Sequence, residues 1–136
     1  MRISKNDYYL NIAREVAQRS TCLRRKYGAI IVNNDQIIAT GYNGSPRGEI
    51  NCCDIGICER QRLNINPGER YELCKSVHAE QNACLHAGRN AAIGGTMYLV
   101  GIDVETGEQI PGEPCLMCSR IIKQCGIDRV ITIRKE

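Results

Sequence analysis

The chain has 136 residues, 43% of them hydrophobic and 24% charged, with a formal net charge of +3. That length buries roughly two-thirds of the unfolded surface and is too short for two ordinary domains, so one domain over residues 1–136 is expected. The composition excludes disorder, the charge is too small for a dedicated nucleic-acid binder, and no run reaches the roughly eighteen apolar residues of a membrane span. The start, MRISKNDYYLNIAREVAQRS, is too polar for a signal-peptide core, which points to the cytoplasm.

Ser4 with Asp7 three residues on makes a capping-box-like start, and Tyr8, Ile12 and Val16 then recur on one face, predicting a helix over about 5–19. GAIIV (28–32) and QIIATGY (36–42) are apolar runs separated by Asn-Asn-Asp, a turn signal, and predict a hairpin. Residues 43–75 show no periodicity and carry Gly, Pro, Asn and the cysteines at 52, 53, 58 and 74. A structureless loop of that length inside a compact domain needs something to order it, and a metal could do so. HAEQNACLHAGRN (78–90) reads as a helix, GTMYLVG (95–101) as a strand, and IDVETGEQIPGE (102–113) as a hairpin-like excursion with Thr106 and Gly107 at its tip. Pro114 suits the first turn of a further helix that Gly126 would stop, and DRVITI (128–133) closes as a strand. The order α-β-β-α-β-α-β predicts a mixed sheet with helices packed on its faces.

Nine cysteines, an odd count without secretory context, point to thiolate ligands and buried thiols rather than a disulfide framework. Cys115 and Cys118 are three apart at a helix start, so both sulfurs lie on one face, where the helix N-terminus lowers a thiol's pKa. His78 also opens a helix, and one neutral imidazole with two thiolates gives three zinc donors and leaves the fourth tetrahedral position open. Glu80, two residues past His78, then stands beside the metal to accept a proton from water and later deliver it, as a shuttle and not a ligand. A structural zinc module that binds nucleic acid or protein would close its site with a fourth ligand and has no use for an acid there.

This H-x-E…P-C-x-x-C order is an established signature of zinc-dependent deaminases, and the chain resembles the cytidine and deoxycytidylate (dCMP) deaminase superfamily, most of all the bacterial and phage dCMP deaminases. The resemblance runs from STCLRRKYGAIIV through GYNGSPRGEINCCD and HAEQNA to CGIDRVI. It implies a three-layer α/β/α cytidine-deaminase-like fold, with catalytic Zn2+ on His78, Cys115 and Cys118 and Glu80 as the proton-transfer residue. It also implies that Asn43 and the backbone around Ala79 contact the nucleotide, and that the position of Arg89 influences phosphate recognition. Members are commonly hexamers regulated by dCTP and dTTP. Some relatives hold a second, structural zinc with cysteines matching Cys22 and Cys52 plus loop histidines; those histidines are missing here, and Cys58 and Cys74 stand as replacements, with Cys53 an alternative to Cys52. The family usually continues past its last strand with a tyrosine-containing segment, a helix and a strand, whereas this sequence reads VITIRKE, so its C-terminal part is shorter than usual.

The implied reaction converts dCMP to dUMP and ammonia. Deamination of cytidine or deoxycytidine, deamination of tRNA adenosine, and a non-catalytic zinc module are the alternatives. The tRNA reading would expect a stronger basic surface and more aromatics than a chain without Phe or Trp offers. A nucleotide adds a phosphate that a guanidinium meets bidentately, and Arg89 is the leading candidate. It lies about eleven residues past the zinc end of its helix, ~16 Å along the axis, so action through helix-end geometry or across a subunit interface, with a share for Arg24, Arg25 or Arg47, is expected. Cys84 and Cys125 read as packing residues and His86 as a helix-face or pocket-wall residue.

Overall fold

The computed structural model describes residues 1–134. Its helices are α1 (Lys5–Ala17), α2 (Cys52–Ile55), α3 (Glu59–Arg62), α4 (Ala79–Ala92) and α5 (Leu116–Gln124); its strands are β1 (Arg25–Asn33), β2 (Gln36–Tyr42), β3 (Thr96–Asp103), β4 (Gln109–Pro111) and β5 (Arg129–Ile131). The β1–β2 hairpin turns at Asn34 and Asp35, with φ of 53° and 58°, a conformation that Asn and Asp tolerate better than other side chains. β1 pairs antiparallel with β2 and with β3. The far edge of β3 is shared: β4 runs antiparallel to residues 100–102 and β5 parallel to residues 96–98.

Alternation along the two central strands feeds two cores. Ala29, Ile31, Met97 and Leu99 meet Ala79, Ala83 and Cys84 of α4 and Ile122 of α5, while Ile30, Val32, Tyr98 and Val100 meet Tyr9, Leu10 and Ala13 of α1. Both faces of the sheet are covered, which is why these strands read as near-continuous apolar runs. The result is the expected three-layer α/β/α architecture with a mixed sheet. Cys84 and Cys125 are packing residues in the α4–α5 core.

Glycine lets α4 rest directly on the sheet. A Cβ at Gly41 of β2 would meet the Ala83 nitrogen at 2.4 Å and the Ala79 oxygen at 2.5 Å, so helix and strand approach backbone to backbone. Gly41 thereby sets the height of the first turns of α4 above β2.

Residues 43–75 differ from the structureless loop expected of them. They form α2, α3 and a 3₁₀ turn at Tyr71–Leu73, gathered around the buried Arg60, whose Nε and Nη2 donate to the carbonyls of Glu69 and Asn66. Such a scaffold is tertiary and leaves no periodic trace in the sequence. The excursion after β3 adds a short strand, β4, because the Asp103 carboxylate accepts from the Glu105 and Thr106 nitrogens and turns the chain back. α4 is broken at Gly88 (φ 71°, ψ 156°), and Pro114 precedes the cap residue Cys115 instead of occupying the first turn. Among the described residues no helix is long and apolar enough to cross a membrane.

Candidate metal centre

Two helix starts converge at one point. His78 is the N-cap of α4, with extended backbone, and its nitrogen donates to the Gln81 side-chain oxygen at 2.9 Å. Val77 bridges to Gly44, and Asn82 donates to the Tyr42 carbonyl at 2.8 Å, so the residues around His78 are tied to the end of β2. Cys115 caps α5, its sulfur accepting from the Cys118 nitrogen at 3.4 Å.

His78 Nδ1 lies 3.2 Å from the Cys118 sulfur and 3.7 Å from that of Cys115, and all three donor atoms fall within 4.8 Å of one another. A tetrahedral zinc with ordinary Zn–N and Zn–S bonds holds such donors roughly 3.5–3.8 Å apart, so both the spacing and the imidazole-plus-two-thiols chemistry fit that ion. Burial, with help from the positive charge of Arg60, lowers the pKa of His78 and favours the neutral imidazole that ligates metals. Cys118 goes the other way from the sequence expectation. Burial chiefly, then the Glu80 charge and Cys115, pushes its thiol far up, so the helix N-terminus alone does not make it a thiolate and a cation has to displace its proton. Glu80, in the first turn of α4, is 6% exposed; burial holds its carboxyl above the usual carboxylate range despite a hydrogen bond with Cys118.

A cavity opens beside this cluster, and Asn43, Ala79, Glu80, Arg24, Arg25 and Arg60 are among its lining residues. Asn43 is locked: its Oδ1 accepts from the Ser20 hydroxyl (2.6 Å) and the Tyr27 nitrogen (2.8 Å), and its Nδ2 donates to the Arg25 carbonyl (2.9 Å). One N–H of that amide is left over. Arg89 is elsewhere. It sits past the Gly88 break near the far end of α4, donates to the Gln124 carbonyl at 3.1 Å, and lines a groove between α4 and α5 with Leu85 and Ile121. Arg47, in the turn after β2, contacts His86 Nε2 at 3.2 Å while His86 Nδ1 donates to the Thr40 carbonyl at 2.6 Å, so His86 is a helix-face group and neither residue lines the cavity.

Cys22, Cys58 and Cys74 line the same cavity as His78. Burial and the neighbouring Cys22 and Cys74 push the Cys52 thiol up, with the Ser76 and Ser45 hydroxyls beside it. These cysteines share a neighbourhood without reaching ligand spacing: among the described residues, three donors come within 4.8 Å only at His78, Cys115 and Cys118. Cys53 is exposed. Sequence reasoning missed Arg60 and Tyr71. The Tyr71 ring meets His78 edge-on at 5.5 Å, and the Arg60 guanidinium lies over the Tyr71 ring at 4.6 Å. Nothing in the local pattern of a polar loop signals that one of its arginines will be buried.

Comparison with known proteins follows the same lines. The model of the family described as "Cytidine and deoxycytidylate deaminase zinc-binding region" matches residues 3–134. The chain is 37% identical over 131 residues to the deoxycytidylate deaminase of Mycobacterium phage D29, covering 93% of this chain and 91% of that protein. It is 38% identical over 130 residues to the deoxycytidylate deaminase of Schizosaccharomyces pombe, covering 96% of this chain and 37% of that one. The chain thus spans most of the phage relative but little more than a third of the yeast protein. The crystal structure of dCMP deaminase from the cyanophage S-TIM5 in complex with dCMP and dUMP aligns with a TM-score of 0.68 at 30% identity, over 96% of this chain and 81% of that one.

Proposed function

The chain belongs to the cytidine and deoxycytidylate deaminase zinc-binding family, and from that premise we propose that it hydrolyses the C4 amino group of a free cytosine nucleotide, converting dCMP to dUMP and ammonia. What carries this reading is one observation: His78, Cys115 and Cys118 bring their donor atoms together, and His78 and Cys115 line a cavity with a buried carboxyl, Glu80. Three protein donors are the complement of a catalytic rather than a structural zinc. When bound, zinc supplies the Lewis acidity that makes water nucleophilic near neutral pH. Glu80 takes the water's proton on its carboxylate and hands it to the departing amine, so the water oxygen ends on C4 and the nitrogen leaves as ammonia.

The Ala79 backbone and the spare Asn43 N–H are assigned to the nucleotide. Arg24 and Arg25 give the cavity a cationic side, which favours a phosphate-bearing substrate over a neutral nucleoside or a base within tRNA. Arg89 enters this reading only from a neighbouring copy, because its own chain keeps it in the α4–α5 groove. Residues 1–136 are read as one deaminase domain in a cytoplasmic homo-oligomer, a hexamer by resemblance, with dCTP and dTTP as effectors. Leu85 and Leu116, 75% and 77% exposed on α4 and α5, support self-association. A second, structural zinc on Cys22, Cys52, Cys58 and Cys74 requires their loop to draw inward, and the shared surroundings of Cys22, Cys52 and Cys74 support it.

Ammonia release from zinc-loaded protein, measured with dCMP, CMP, deoxycytidine and dCTP, tests the proposal. The expected result is the highest kcat/KM for dCMP. Equal turnover of deoxycytidine would remove the phosphate from the reading and leave the deamination; no release from any of the four would remove the deamination itself.

A further inference from the structure

We propose that Arg60 anchors the phosphate of the nucleotide and so determines the preference for a nucleotide over a nucleoside. Arg60 is a cation out of place. It is 6% exposed yet belongs to no ion pair among the described residues, and its two protein acceptors are the neutral carbonyls of Glu69 and Asn66. A buried charge without a counter-charge is costly, and the cost falls when an anion arrives. Guanidinium carries five N–H donors in a planar fork; the two carbonyls take one on Nε and one on Nη2, which leaves the Nη1 pair and one more on Nη2. Tyr71 covers one face of the plane at 4.6 Å, and Arg60 lines the cavity that also holds Glu80. Stacking on a ring fixes the plane and leaves its edge, where the donors are, for a ligand.

The position suits one end of a nucleotide whose other end reacts. Tyr71 bridges the two sites: its ring centre is 4.6 Å from the Arg60 guanidinium and 5.5 Å from the His78 ring, so guanidinium and imidazole are no more than about 10 Å apart. A pyrimidine with C4 at the metal centre carries its 5′-phosphate away on the ribose over a comparable span. The charged groups facing the cavity are Arg24, Arg25 and Arg60 against Glu80 and Glu113, and Glu80 is committed to proton transfer. Arg24 has a half-buried and Arg25 an exposed setting in which water competes for the same donors; Arg60 is the buried member, where a charge-assisted bond is strongest. Its bonds to residues 66 and 69 also place it on a scaffold that is already folded, so little ordering is lost when the anion binds.

This inference rests on the nucleotide reading above, so the test measures binding without turnover. Calorimetry on zinc-loaded protein compares dUMP, deoxyuridine and inorganic phosphate. Wild type is expected to bind dUMP more tightly than deoxyuridine and to bind phosphate alone. Arg60→Gln is expected to weaken dUMP by roughly ten- to a hundredfold, the range for loss of a charge-assisted bond, and to narrow the dUMP-to-deoxyuridine ratio by the same factor. Arg60→Lys keeps the charge without the fork and is expected to narrow the ratio part of the way, which decides the matter should the Gln variant fail to fold by near-UV circular dichroism. Equal weakening of dUMP and deoxyuridine would make Arg60 a loop clamp and overturn the anchor, as would an unchanged ratio in either variant. Absent ammonia release from dCMP in a protein that shows the expected binding would instead overturn the activity and leave the anchor standing.

Discussion

Replacing Gly41 by alanine tests whether the sheet sets the geometry of the metal centre. The new Cβ would lie 2.4 Å from the Ala83 nitrogen and 2.5 Å from the Ala79 oxygen, where ordinary contact begins at 3.4 Å. Both obstacles are backbone atoms of α4, so no rotamer change relieves the overlap and the helix has to lift by about 1 Å. Lifting parts Ala79 and Ala83 from Ala29 and Ile31, and overpacking of this kind costs roughly 1–3 kcal/mol. His78 and Glu80 ride on the same first turn, and a misplacement of about 1 Å at reacting groups costs on the order of a hundredfold in rate. Urea unfolding, zinc content by elemental analysis and kcat/KM for dCMP together read out the three consequences. We expect lower stability, weakened zinc retention and a roughly hundredfold fall in kcat/KM. Wild-type stability would refute the backbone contact. Lost stability with intact zinc and intact kcat/KM would refute the link between β2 and the metal centre.

Glu80→Gln preserves the shape of the side chain but cannot exchange a proton, so kcat is expected to fall by roughly 10²–10⁴ while zinc content stays at the wild-type level. Loss of zinc in that variant would make Glu80 a ligand, and full activity would take it off the proton path. Elemental analysis of the purified protein distinguishes one zinc per chain from two: the second-site proposal expects two, reduced to one in Cys58→Ser or Cys74→Ser. One zinc throughout, with both variants as stable as wild type, returns those cysteines to ordinary packing.

Much of this molecule was legible because its signals are local. Residues 28–32 and 97–102 are buried on both faces, and a strand buried on both faces has to be apolar at consecutive positions. The metal centre was legible for a related reason. His78, Cys115 and Cys118 all sit within the first turn or cap of a helix, so spacing along the chain is enough to put the donors on one side of each helix. What spacing cannot supply is the dielectric. The helix N-terminus argues for a thiolate at Cys118, yet the sulfur is fully buried beside Glu80, and burial outweighs the dipole until a cation arrives. The distance of Arg89 from the metal was legible in the same way, from its count along the helix: it lies past the Gly88 break in the α4–α5 groove, and only the end at His78 opens on the cavity.

The loop between β2 and α4 marks where sequence reasoning stops and why. Its apolar content is low, so no periodic pattern could announce α2, α3 or the 3₁₀ turn, and a metal was the natural substitute for a missing core. The structure orders it in part by other means. Arg60 lies under Tyr71, binds two carbonyls of its own loop and closes one wall of the cavity, so a residue that composition counts as surface charge becomes a small polar core. Such a core carries a positive charge that belongs to no ion pair among the described residues, and a buried charge of that kind gains when an anion arrives. That it is an arginine, next to a site whose substrate carries a phosphate in the reading above, is therefore a statement about the ligand as much as about the loop.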